Sequence, residues 1–174
     1  LKPSVVAEHL QQKLEPAISG AVARRKTITV LLRIWAKVPS EHLRLRAEGL
    51  RLASQLSAND RLWLHWGMSL LAYPFFRDVA AIVGQLSRLQ GTFSQAQVRR
   101  RMIERWGQRT TLPRAIQRLT RTFVDWEVLR DTDVRGSYVT AKSVQTKSDA
   151  LALWFLDCAL RANGTEEVPL RDLA

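Results

Sequence analysis

Residues 111–131 read TLPRAIQRLTRTFVDWEVLRD, and the pattern inside this stretch decides the fold. Wound at about 100° per residue, Ala115, Ile116, Leu119, Phe123 and Trp126 gather on one side, while Gln117, Arg118 and Arg121 stay within about 60° of Arg114. This is a helix whose apolar stripe backs a polar stripe of three Arg and one Gln. Thr111 opens it, and Pro113 is tolerated in the first turn, where a missing N–H loses no helical partner. No acidic residue occurs from Gln108 to Val124, although Arg109, Arg114, Arg118 and Arg121 do. A ladder of intrahelical salt bridges would need Glu or Asp three or four residues away. The stripe instead carries the side chains that pair with nucleic acid, Arg with phosphate or with guanine O6 and N7, and Gln with adenine. A solvated helix face is the competing reading.

Upstream, Ser94 with Gln97 forms a capping-box pattern that opens a helix with Val98, Met102, Ile103 and Trp106 on one face, ended by Gly107. That helix bears Arg99, Arg100, Arg101 and Arg105 against Glu104 alone. Before it, Thr92 and Phe93 make a short extended piece, and Phe75, Val79, Ile82, Val83, Leu86 and Leu89 mark a helix stopped by Gly91. Downstream, Val128–Asp131 and Tyr138–Ala141 read as strands joined by a polar loop with Arg135 and Gly136. Helix, short strand, helix, turn, helix, strand, loop, strand is the order of a winged helix-turn-helix. In that arrangement the second helix of the pair enters a groove, the first crosses the phosphate backbone, and the loop reaches a minor groove or a phosphate. The candidate DNA-binding residues are therefore Arg99, Arg100, Arg101, Arg105, Arg109, Arg114, Gln117, Arg118, Arg121 and Arg135.

The N-terminal block also reads as helices. Within Ala21 to Val38, Ile28, Leu31, Leu32, Trp35 and Val38 recur at helical spacing, and Lys26, Arg33 and Lys37 fall opposite them. A short helix from about Glu41 to Leu52 follows, then an apolar one around Arg61 to Ala72 that should be central. A last helix, Ser148 to Ala162, precedes an acidic tail. The expected class is mainly α, a helical N-terminal bundle packed on a winged helix-turn-helix with a short β-hairpin. The expected segments are 1–74 for the helical domain, 75–142 for the winged helix, and 143–174 for the C-terminal helix and tail.

The chain has 174 residues, 46% hydrophobic and 25% charged, enough for a real core of one or two small domains. Its 27 Lys and Arg outweigh 16 Asp and Glu, a net charge of +11, and 21 of the 27 are Arg. Such a balance selects polyanionic partners. The excess is uneven: +6 over residues 1–56, zero over 57–84, +7 over 85–142 and −2 over 143–174. The longest apolar run, Leu62–Phe76, is broken by His65 and Pro74 and falls short of the roughly 20 residues that span a bilayer, so no membrane role is expected. The single Cys158 lies in an apolar run and reads as a core residue, which with the absence of a visible signal peptide suggests a reducing, cytoplasmic setting, although the chain opens on Leu1 and residues could precede it. His9, His42 and His65 lack metal-ligand spacing, and no catalytic cluster or Gly-rich phosphate loop occurs. The expectation is a non-enzyme with no metal and no cofactor. His65 reads as a satisfied core residue. The six Trp residues fall mostly at core positions, which argues against a base-stacking platform.

The stretch from about Ala23 to Leu129 resembles the BrxA-type proteins, small DNA-binding components of bacterial BREX phage-defence systems. The resemblance is carried by ARRKTITVLLRIW (23–35) and the Pro-containing break after it, by the central helix ending in AYPFFRDVA (72–80), and by the spacing from there to RAIQRLTRTFVDWEVL (114–129). It implies a compact, mostly helical protein with winged-helix elements that binds double-stranded DNA without chemistry, with other defence-system proteins as partners. The hairpin after Asp131 and the helix around Trp154 depart from the family pattern, which leaves open a relative in another defence operon or an ordinary regulator. Structured RNA or ribosome would use the same basic faces, and a protein-interaction scaffold built on a winged helix is a further alternative.

Overall fold

A computed structural model of the chain describes residues 2–141 and 145–164. In chain order the elements are α1 (Pro3–Leu14), α2 (Ala21–Trp35), a 3-10 turn (Ser40–His42), α3 (Leu43–Ala53), α4 (Arg61–Ala72), α5 (Pro74–Gln90), β1 (Thr92–Ser94), α6 (Gln95–Trp106), α7 (Leu112–Asp125), β2 (Leu129–Asp131), β3 (Ser137–Thr140) and α8 (Asp149–Asn163). The protein is mainly helical with one small antiparallel sheet, and it divides into two compact units. None of its helices, among the described residues, is long and apolar enough to cross a membrane.

The first unit holds α1 to α4 and also α8. Residues 143–174 were expected to stand apart, but α8 packs on α3 and α4 and shares their core; the expected acidic tail, residues 165–174, lies outside the described residues. The physical reason is Trp154. Its indole N–H donates to the Leu45 carbonyl at 2.9 Å, and its ring lies where a Cβ on Gly49 or Gly67 would come within 2.9 or 2.7 Å of it. Both glycines are thus needed for close approach of the helices. Leu45, Leu52, Leu64, Met68, Leu151 and the fully buried Cys158 are core residues of this unit, and burial raises the Cys158 thiol pKa far above its usual range. The thiol packs as a core group, as its apolar setting predicts. α1 buries no residue, and in the segment that joins it to α2 the Ile18 carbonyl accepts from the buried Arg24 at 2.7 Å.

The second unit runs from Tyr73 to Lys147. Pro74 occupies the first turn of α5, and Gly91 ends it in a left-handed conformation (φ 70°) that a side chain would oppose. The capping box is formed: the Ser94 hydroxyl accepts from the Gln97 N–H, and the Gln97 side-chain Oε1 accepts from the Ser94 N–H at 2.7 Å. In the sheet β3 is central, in the order β1-β3-β2, with Phe93 opposite Tyr138 and Leu129 opposite Thr140. Phe76, Val79, Leu86, Phe93, Val98, Met102, Ile116, Phe123 and Leu129 make the core, with Phe76 set edge-on to Phe123 at 5.4 Å. Helix, strand, two helices and a hairpin therefore surround one apolar centre, leaving the outer faces of α6 and α7 to solvent.

Candidate nucleic-acid interface

α7 forms because its apolar positions recur at helical spacing. Leu112, Ile116, Thr120 and Phe123 are buried, and the Thr120 hydroxyl is satisfied by the Ile116 carbonyl at 2.9 Å. Its opposite face carries Arg114, Gln117, Arg118 and Arg121, all exposed, as the sequence pattern expects. Among the described residues, Arg114, Gln117 and Arg118 make no side-chain hydrogen bond or ion pair.

Arg121 differs. Its Nε donates to Asp125 Oδ1 at a long 3.4 Å, and its Nη1 pairs with Asp131 Oδ2 at 3.0 Å. Asp131, and less strongly Asp125, push the guanidinium pKa further above its ordinary value. The expectation that this stripe lacks salt bridges is thereby corrected at one position. Asp125 lies one residue beyond the acid-free stretch, four residues from Arg121, and Asp131 arrives from β2.

The four arginines of α6 do not share a face. Val98 and Met102 are fully buried, and the arginines leave the helix on both sides of that stripe. Arg101 is half-buried and donates to the Gln85 amide oxygen on α5 at 3.3 Å. Arg105 pairs with Asp78 at 3.0 Å, and the same carboxylate accepts the Trp106 indole N–H at 2.9 Å. Asp78 also pairs with Arg77 at 3.0 Å and is only 3% exposed. The charge that burial would otherwise penalise is thus met by three donors. Arg101 and Arg105 tie α6 to α5, a supporting role that the sequence alone did not separate from binding.

Arg99 and Arg100 are exposed and make no such bond among the described residues. Arg99 and Arg109 border a recess of about 350 Å³ between α6 and the start of α7, lined also by Ile103, Gln108, Thr110, Leu112 and Pro113. Gly107, at φ 73°, makes the turn that shapes it. Arg135 is exposed in the β2–β3 loop before Gly136 (φ 75°), where Val134 is also 69% exposed. This loop is mixed in charge, because Asp133 accompanies Arg135 and β2 carries both Arg130 and Asp131.

The geometry brings Arg99 and Arg109 to one recess, while Arg114, Gln117 and Arg118 share the exposed face of α7 and Arg100 is exposed on α6. Arg121 stands at the far end within an acidic pair. Such a surface can hold a row of phosphates while a helix face meets base edges. Of the six Trp residues Trp154 is buried and the other five are half-buried. Among the described residues no group of three or more His, Cys, Asp or Glu side chains is placed to hold a metal ion. His65, expected in the core, is more than a third exposed, but its Nδ1 accepts the Trp35 indole N–H at 3.0 Å, and desolvation lowers its pKa. No family model, curated protein or solved structure matches the chain.

Proposed function

We propose that the second unit is a winged helix-turn-helix that binds double-stranded DNA without acting on it chemically. The observation that carries this reading is the outer face of α7, where Arg114, Gln117 and Arg118 stand exposed and unpaired among the described residues above a closely packed core stripe. The preceding turn and helix add Arg99, Arg100 and Arg109. The element order and the central place of β3 in the sheet fit that fold, with α7 as the groove-entering helix and the β2–β3 loop as the wing. Because Arg outnumbers amide side chains on the face, most of the affinity comes from phosphate and tolerates sequence.

The test is a gel-shift comparison of duplex DNA, single strands and structured RNA across a salt series. With about 4 to 6 phosphates neutralised, log K against log salt should fall with a slope of about −4 to −5 for duplex. A slope near zero, or no duplex shift at low micromolar protein and low salt, overturns the proposal. Tighter binding to structured RNA transfers the same face to that ligand. The setting in a bacterial phage-defence system, beside other defence proteins, rests on the resemblance of residues 23–129, and the neighbouring genes test it.

A further inference from the structure

Arg121 is unlike the other cations of its stripe, and the difference bears on what it can bind. Its side chain is 55% exposed, yet its Nε and Nη1 each donate to a carboxylate, Asp125 on the helix itself and Asp131 on β2. Asp131 is in turn fixed by its place opposite Tyr138 in the sheet. A guanidinium has five N–H donors in one plane, so three remain, both of those on Nη2 among them. Two carboxylates bonded to this one guanidinium offset its charge, which makes it a weaker partner for phosphate than Arg114 or Arg118. The same two contacts hold the plane of the remaining donors from the helix side and from the strand side. A fixed pair of donors on a guanidinium whose charge is already offset suits a neutral pair of acceptors, and in the major groove guanine offers O6 and N7 side by side.

We infer that Arg121 is a specificity-determining residue that reads guanine, with Asp125 and Asp131 as the positioning residues that hold its guanidinium for the base edge. The inference rests on the duplex-binding reading above. Arg118 and Arg114 lie three and seven residues earlier on the same stripe, carry no such carboxylate, and hold phosphate. Binding is then tolerant of sequence in bulk but favours guanine where the end of α7 meets the groove.

The experiment compares three 20-base-pair duplexes: one of G·C pairs, one of A·T pairs, and the G·C duplex with 7-deazaguanine, which lacks the N7 acceptor. Wild-type protein should bind the G·C duplex roughly tenfold more tightly than its 7-deaza counterpart. Arg121→Lys keeps the charge but not the planar fork, and should bind the two equally while retaining most of its affinity for the A·T duplex. The double variant Asp125→Asn, Asp131→Asn should bind all three duplexes more tightly, because two negative charges are gone, while its preference for guanine shrinks. If Arg121→Lys leaves the 7-deaza ratio unchanged, or if the double variant keeps the full ratio, the guanine assignment is overturned although duplex binding stands. If the wild-type protein shifts none of the three duplexes, the duplex reading itself fails and the inference falls with it. Circular dichroism of each variant confirms that a lost ratio is not a lost fold.

Discussion

Helices α2 and α7 share a pattern in sequence: each is free of acidic residues along most of its length, carries several cations and buries one apolar side. The structure uses them differently. α2 spends Arg24 inside its own unit, bound to the Ile18 carbonyl and paired with Glu15 at 3.6 Å, and its outer face sets Val22 and Val30 among Arg25, Lys26 and Arg33. α7 follows a tight turn that leaves a recess bordered by Arg99 and Arg109, and its outer face is polar throughout, with Arg114, Gln117, Arg118 and Arg121. Charge alone does not distinguish the two; the surroundings of each cation do.

The comparison breaks most readily if the first unit proves to be part of the interface. Trp154→Ala removes the ring seated on Gly49 and Gly67 together with its bond to Leu45, and should destabilise the first unit by about 3–5 kcal/mol. Denaturant unfolding followed by circular dichroism measures this. At temperatures where the variant is still folded its duplex affinity should match wild type, and a loss there would show that the α2 side is needed after all.

Paired charge removal sharpens the contrast directly. Arg114→Ala, Arg118→Ala and Arg121→Ala together should weaken duplex binding more than tenfold, about 1.4 kcal/mol or beyond. Lys26→Ala, Arg33→Ala and Lys37→Ala remove the same formal charge from the first unit and should weaken it by less than about threefold, through long-range attraction only. Equal losses would reduce both helices to parts of one diffuse cationic field. Ala favours helix at the five helical positions, and Lys37 is exposed beyond the end of α2, so both folds should survive.

Cys158→Ser places a hydroxyl in the apolar centre of the first unit, where the sulfur would lie 3.2 Å from a Cβ on Gly67. A stability loss of about 1–2 kcal/mol with unchanged duplex affinity is expected. Reduced affinity in the folded variant would contradict the placing of DNA on the second unit.

The smallest effect concerns pH. His65 has a lowered pKa in the folded state and accepts from Trp35 through its unprotonated Nδ1. Its contribution is present above the unfolded value of 6.5 and fades as pH falls below it, because the unfolded chain then binds the proton more readily. Urea midpoints at pH 7.5 and 5.5 should fall less with acid in His65→Gln than in wild type. The exposure of His65 keeps this difference small, and duplex affinity should change no more in wild type than in the variant.

Much of the second unit was legible because its signals are local. Ser94 and Gln97 lie three residues apart, Gly91 and Gly107 stand where helices must end, and the stripe through Ile116 and Phe123 needs only helical periodicity. What escaped depends on partners distant in sequence. Asp131 lies ten residues from Arg121, Asp78 lies 28 from Trp106, and no spacing rule joins either pair. An amphipathic pattern shows that α8 has an apolar partner but not which one, so its place beside α3 and α4 emerged only with Trp154. α1 gave little signal because it buries nothing completely.

The membership of α8 in the first unit has a consequence for biosynthesis. During translation α3 and α4 leave the ribosome with Gly49, Leu64 and Gly67 uncovered, and Trp154, which seats on both glycines, follows 82 residues after Ala72. At 5–20 residues per second that interval is about 4 to 16 s. All of residues 73–147 are made within it, so the later-made unit is complete first while the earlier helices wait with an apolar face open. A chain released short of residue 154 would therefore carry a complete second unit and an unfinished first, and that open face is where a chaperone would find it.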